Sequence, residues 1–298
     1  MKYEEFKAEI LAGLRKICGD HAVIRIERIL KNNGKHYDGI QIGQRSNLCA
    51  TVSLEWFYGV YCDGAMNIEG CILSIYKISE EGRNKRDVLE LVGKAMDWEQ
   101  IKGKIYPILL STKLNQEMLE KVVSKPIMDL SVAYIAREAM DGQYVSIKIN
   151  RAMLQSYSIS AEELHEQAMK NLESDGYQFR DILHFVQSFE HDAVDGLDIE
   201  NTAQNVEMYI LTNTVKFYGA AGILDKKLIK EFAAGRDFFI LPSSIHETIF
   251  VPAADMDDGE AYNCMVKMVN KEAVDIEEQL SDHAYFYDAV ADEIRVCA

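Results

Sequence analysis

Hairpin signals interleaved with capped helices, and no regular strand-helix-strand repeat, restrict the fold of this 298-residue chain more than any other feature. The β-rich runs AVIRIERIL (22 to 30) and HYDGIQIG (36 to 43) flank Asn32-Asn33-Gly34. An Asn-Gly pair supplies the positive φ values of a tight primed turn, so the segment reads as a hairpin. LSVAYIA (130 to 136) and YVSIKI (144 to 149), joined by Met140-Asp141-Gly142, read as another. Further strands are expected in IYPILLS (105 to 111), VEMYILT (206 to 212), DFFIL (237 to 241), HETIFVP (246 to 252), AYFYDA (284 to 289) and EIRVCA (293 to 298).

The helices carry their own punctuation. Tyr3, Phe6, Ile10, Leu14 and Ile17 recur at steps of three and four residues, which marks one buried helical face. Residues 53 to 103 read mostly as helices interrupted by glycines, and a short helix is expected near 115 to 122. Ser160-Ala161-Glu162-Glu163 is a capping box that opens a helix running to about Leu172. Asp225 is the expected N-cap of a helix stopping near Gly235, and a last helix is expected over about 258 to 271. Hairpins and helices mixed in this way predict an α+β protein with mixed, largely antiparallel sheets and packed helices.

Charge divides the chain. Asp and Glu number 48 against 32 Lys and Arg, a net charge of −16. Residues 1 to 104 hold 16 basic and 15 acidic residues, whereas 105 to 298 hold 16 and 33. The expected organisation is a near-neutral part over 1 to 104 and an acidic α+β domain over 105 to 298, packed together because no Pro/Gly/Ser-rich linker separates them. The acidic field repels phosphates and anionic lipid surfaces, which argues against nucleic acid and membrane as partners. No signal peptide and no run of about 18 apolar residues is apparent. Six cysteines without C-x-x-C spacing read as free thiols in a reducing compartment, so a cytoplasmic location is expected.

Four stretches, KNNGKHYDGIQI (31 to 42), MYILTNTVKFYGAAGIL (208 to 224), LPSSIHETIFVP (241 to 252) and LSDHAYFYD (280 to 288), resemble a domain-of-unknown-function family of gut clostridia and related Firmicutes. The resemblance spans nearly the full chain. IYPILLST (105 to 112) and INRAMLQSYSISAEELHEQAMKNL (149 to 172) are more distantly similar to an uncharacterised bacillar family. Neither resemblance implies a catalytic residue.

Three constellations could carry chemistry. Pro242, Ser243 and Ser244 sit between two strands and His246 and Glu247 follow at once, but a Ser-His-acid site needs hydroxyl, imidazole and carboxylate in hydrogen-bond reach, and no G-x-S-x-G elbow surrounds either serine. The same residues also suit a turn closed by serine-to-backbone hydrogen bonds. Asp282-His283 with Tyr285 and Tyr287 suits an oriented histidine in a cleft, or equally a half-buried sheet face. Asn213 and Thr214 open a Gly-rich stretch, 212 to 222, in the place of a phosphate-binding turn, yet both nucleotide fingerprints are absent and the glycines also suit close helix-to-sheet packing. His246 and His283 would begin a metal site if their strands paired, but no H-E-x-x-H motif is present, and His184 and His191 stand seven apart. The acidic 255 to 258 run lacks an EF-hand ligand at Gly259. No cofactor and no metal are expected.

Two functions follow. The first is a binding or interaction protein without catalysis of its own, meeting a protein partner through the acidic 105 to 298 surface. The alternative is a small hydrolase-like enzyme built on Ser244, His246 and His283; Asn213, Asp282 and Tyr285 are candidate binding residues in either case. Oligomeric state is not legible.

Overall fold

In the computed structural model of the chain, Asn33 and Gly34 adopt φ of 55° and 68°, and they turn β1 (Val23–Leu30) back onto β2 (His36–Gly43) in antiparallel register. The structure describes residues 1–19, 21–43, 51–83, 93–140, 143–182, 207–253 and 259–297. Cys49, the expected turn residues Asp141 and Gly142, the run 255 to 258, and His184, Glu190 and His191 lie outside them. Contacts divide the chain into two units, 1–93 and 94–298.

In the first unit, β3 (Thr51–Ser53) joins β2 to complete a three-stranded sheet. The sheet packs with α1 (Tyr3–Cys18), α2 (Leu54–Cys62) and α3 (Ile68–Arg83). The periodic face of α1 supplies Phe6, Ile10 and Leu14, each 0 % exposed, to a core shared with Ile40, Phe57 and Ile75. Burying side chains of this size contributes about 1.5–3 kcal/mol each.

The second unit begins with α4 (Trp98–Ile101), a 3₁₀ turn and β4 (Ile105–Ser111). These residues are tied to the unit by Asn171, whose side-chain amide donates to the Lys102 and Ile105 carbonyls, both at 2.7 Å. β4 pairs with one edge of the long strand β6 (Leu130–Met140). β5 (Ser124–Ile127) and β7 (Gln143–Lys148) share its other edge. α5 (Gln116–Lys121) lies between β4 and β5 in sequence, and α6 (Arg151–Tyr157) and α7 (Ala161–Glu173) follow β7. The capping box of α7 forms as its sequence predicts, Ser160 Oγ accepting from Glu163 N–H at 3.1 Å while Glu163 accepts from Ser160 N–H at 2.7 Å.

A six-stranded antiparallel sheet completes the unit in the order β13-β12-β10-β11-β9-β8. It comprises β8 (Gln178–Asp181), β9 (Tyr209–Thr212), β10 (Phe238–Pro242), β11 (Thr248–Pro252), β12 (Tyr285–Asp288) and β13 (Glu293–Val296). The central strand β10 is buried along its whole length, which explains its unbroken apolar run. A 3₁₀ helix (Gly219–Leu224) leads into α8 (Lys226–Ala233), capped by Asp225, whose carboxylate accepts from Leu228 N–H at 3.0 Å. α9 (Gly259–Glu272) packs Val266 against the sheet. All described strand pairs are antiparallel, so the protein is α+β with antiparallel sheets. No helix of the described residues is long and apolar enough to cross a membrane, and no disulfide joins the five described cysteines.

Candidate functional site

Ser244 and His246 lie in the turn between β10 and β11. Ser244 Oγ accepts from His246 N–H at 3.0 Å, Ser244 N–H donates to the Glu247 carbonyl at 3.3 Å, and Ser243 Oγ donates to Glu247 Oε1 at 3.3 Å. The hydroxyl of Ser244 therefore closes the turn. His246 Nδ1 accepts the Tyr218 backbone N–H at 3.1 Å, and its Nε2 stands 4.0 Å from Glu278 Oε1. With the Nδ1 lone pair engaged, the neutral ring carries its proton on Nε2 and has no lone pair left to take a proton from a serine. Among the described residues no hydrogen bond joins Ser244 to the ring of His246 or of His283.

Burial holds the His246 imidazole below its ordinary pKa, opposed by the charges of Glu278 and Glu247. In the unfolded chain the ring titrates near 6.5, so below about that pH the unfolded state binds the extra proton and is favoured. Stability should therefore fall as pH drops from about 7 to about 5, and fall less in His246→Asn, whose Oδ1 can keep the Tyr218 bond. Urea midpoints of the two proteins across this range test the assignment, and parallel curves would refute it.

Asp282, His283 and Tyr285 meet Asp129, which lies between β5 and β6. Asp282 Oδ1 is 3.0 Å from His283 Nδ1, Asp129 Oδ2 is 3.3 Å from His283 Nε2, and the Tyr285 hydroxyl donates to Asp129 Oδ1 at 2.9 Å. Asp129 Oδ2 faces the ring without a well-aligned hydrogen bond, His283 Nε2 being buried with no hydrogen-bond partner. The His283 hydrogen bond holds the Asp282 carboxyl below its usual range, and burial pushes the Tyr285 phenol up. The two carboxylates face opposite ring nitrogens and do not converge on one point. Among the described residues no three His, Cys, Asp or Glu side chains form a group that could hold a metal ion. The cluster fastens β12 to the β5–β6 turn. His246 and His283 share none of the partners named here.

Asn213, 1 % exposed, is fully engaged. Its Nδ2 donates to Asp175 Oδ2 at 2.9 Å and to the Phe217 carbonyl at 3.0 Å, and its Oδ1 accepts from Phe217 N–H at 3.1 Å. Asp175 also accepts both terminal nitrogens of Arg137, and the guanidinium lies 4.0 Å from the ring centre of Tyr106. Arg137 and Asp175 of this buried triad wall a polar cleft of about 470 Å³ shared with Lys104, Glu138 and Thr214. Each cation there has its own carboxylate, Arg137 with Asp175 and Lys104 with Glu138. Sequence reasoning missed the triad, although a lone arginine inside the apolar run of β6 was a usable signal, because a charge in a buried strand demands a partner.

The larger cleft, about 530 Å³, lies between the two sheets of the second unit. Five pieces of chain wall it: Lys125 to Met128 with Val132, His165 and Met169 of α7, Ile223 and Leu224, Lys226 and Ile229 of α8, and Tyr287 with Asp292 to Ile294. Its walls are mainly apolar. Its polar groups are mostly spoken for: Lys125 pairs with Glu162 at 2.9 Å, and Asp292 accepts from Tyr287 at 2.8 Å and from Lys230 at 3.0 Å. His165 Nδ1 lies 3.0 Å from the Tyr134 hydroxyl. Ser244, His246, His283, Asn213, Asp282 and Tyr285 do not line this cleft.

A family of unknown function, DUF5688, matches residues 3–289, and the chain belongs to that family. No curated protein and no solved structure matches it.

Proposed function

We propose that this member of the DUF5688 family binds a small, largely apolar molecule in the cleft between the two antiparallel sheets of its second unit, without catalysis of its own. The observation that carries the reading is the cleft itself, whose roughly 530 Å³ falls in the size range of small-ligand sites, about 300–1,000 Å³. Ile127, Val132, Met169, Ile223, Ile229 and Ile294 present apolar atoms there from segments far apart in sequence. Burial of apolar ligand surface is the driving force such a site offers. Catalysis is left out because Ser244 and His246 are occupied with backbone hydrogen bonds. Free thiols support a reducing, cytoplasmic setting.

The acidic surface supports a basic partner in sign alone: residues 94–298 carry 35 acidic and 19 basic residues, against 13 of each in residues 1–93. Charge does not name a place on that surface, and the cleft does.

Binding of the neutral fluorophore 1-aminoanthracene tests the proposal. It should bind saturably to the native protein, and Met169→Trp and Ile294→Trp, which fill the cleft from facing segments, should each weaken it by about tenfold or more, equivalent to about 1.4 kcal/mol. Both side chains are only half-buried, so the substitutions should leave the fold intact. Unchanged affinity in both variants would refute the site.

A further inference from the structure

We infer that the ligand of this cleft is an uncharged apolar compound bearing one hydrogen-bond acceptor, such as a carbonyl oxygen, which takes its hydrogen bond from His165 Nε2–H. The inference rests on the cleft being a ligand site and adds the chemistry of the ligand. Tyr134 is 1 % exposed, and its hydroxyl has His165 Nδ1 as its hydrogen-bond partner at 3.0 Å. A buried phenol has a single proton to give, and withholding it would leave a buried donor unmade. The phenol therefore donates, His165 Nδ1 accepts, and the ring holds its own proton on Nε2. Burial, with the nearby Lys125 charge, keeps the imidazole below its ordinary pKa, which agrees with a neutral ring. The phenol stays protonated, its pKa pushed up to about 12 by burial.

His165 lines the cleft, and Nε2 is the ring atom left for a ligand. A cleft with apolar walls and a fixed N–H donor suits a molecule with an apolar body and an acceptor. It does not suit a carboxylate. The imidazole brings no positive charge, Lys125 is paired with Glu162, the exposed Lys226 shares the cleft wall with the carboxylates of Asp292 and Glu293, and stripping water from an unpaired carboxylate is costly.

Three eight-carbon probes, 2-octanone, octane and octanoate, separate the possibilities when titrated by ligand-observed NMR against the native chain and Tyr134→Phe/His165→Phe. The double variant removes donor and phenol together and so leaves no unpaired hydroxyl in the core. The native protein should prefer 2-octanone over octane by roughly fivefold, the order expected of one neutral hydrogen bond, and bind octanoate more weakly than either. The ketone preference should vanish in the double variant while octane binding is kept. A preference that survives the double substitution, or tighter binding of octanoate than of the ketone, overturns the assignment of His165 and leaves the cleft reading standing. Failure of all three probes to bind the native protein overturns both.

Discussion

Asp175→Ala should be among the most damaging single substitutions in the second unit. The carboxylate, only 8 % exposed, accepts both terminal nitrogens of Arg137 and the Asn213 amide. Removing it leaves a buried guanidinium without a counter-charge, a change that costs about 3–5 kcal/mol. In a unit of this size that corresponds to a fall in Tm of roughly 10 °C. Arg137→Met in the same chain should recover much of the loss, because the uncompensated charge goes with it and a flexible apolar side chain can lie against Tyr106. Calorimetry of the single and double variants decides the matter. A single variant within about 1 kcal/mol of the native protein, or a double variant worse than the single, would show that the pair does not carry the weight given to it here.

Gly219→Ala should be nearly as severe. A Cβ at this position would lie 2.3 Å from the His246 carbonyl oxygen, 2.3 Å from Thr212 Oγ1 and 3.0 Å from Asn213 N. Two of the three are backbone atoms, and Thr212 is held in place by its own bond to the His246 carbonyl at 2.8 Å. The 3₁₀ helix would have to lift off the end of β9, which places the cost at the upper end of overpacking, about 3 kcal/mol. Since Ile223 and Leu224 ride on the same 3₁₀ helix and wall the cleft, 1-aminoanthracene binding should weaken as well. Gly222→Ala is the control. Its three nearest neighbours are all side-chain atoms, two of the Tyr177 ring at 2.6 and 2.9 Å and one of Leu211 at 3.1 Å, which can shift without displacing the backbone, so its effect should be smaller. Equal unfolding midpoints for the two variants would contradict this account of the packing.

The sequence was most informative where a local pattern determines a local structure. Asn33-Gly34 could be read as a turn because few other pairs take two positive φ values, and Ser160 with Glu163 because a capping box is complete within four residues. β3, β5 and β8 were not legible. They are three or four residues long, too short to show alternation, and β5 carries Pro126, which reads as a break although an edge strand accepts it. α6, opened by the Asn150 cap, also went unseen.

The site shows the same limit more sharply. Residues that draw attention in sequence, Ser244, His246, Asp282, His283 and Asn213, hold turns and strands together through their polar atoms. The cleft is lined by ordinary half-buried apolar residues such as Ile127, Met169 and Ile294, which bear no motif. The gap among them exists only where α7 and α8 meet strands of two sheets, and packing gaps are tertiary properties. His165 gained meaning only through Tyr134, thirty-one residues away in β6.

Methyl NMR of the isoleucine- and methionine-labelled protein titrated with 2-octanone tests the cleft most directly. Saturable shifts at Ile127, Met128, Met169, Ile223, Ile229 and Ile294, with Ile40 and Ile75 of the first unit unmoved, are the predicted result. Shifts centred on any other part of the chain, or none at saturating ketone, would contradict it.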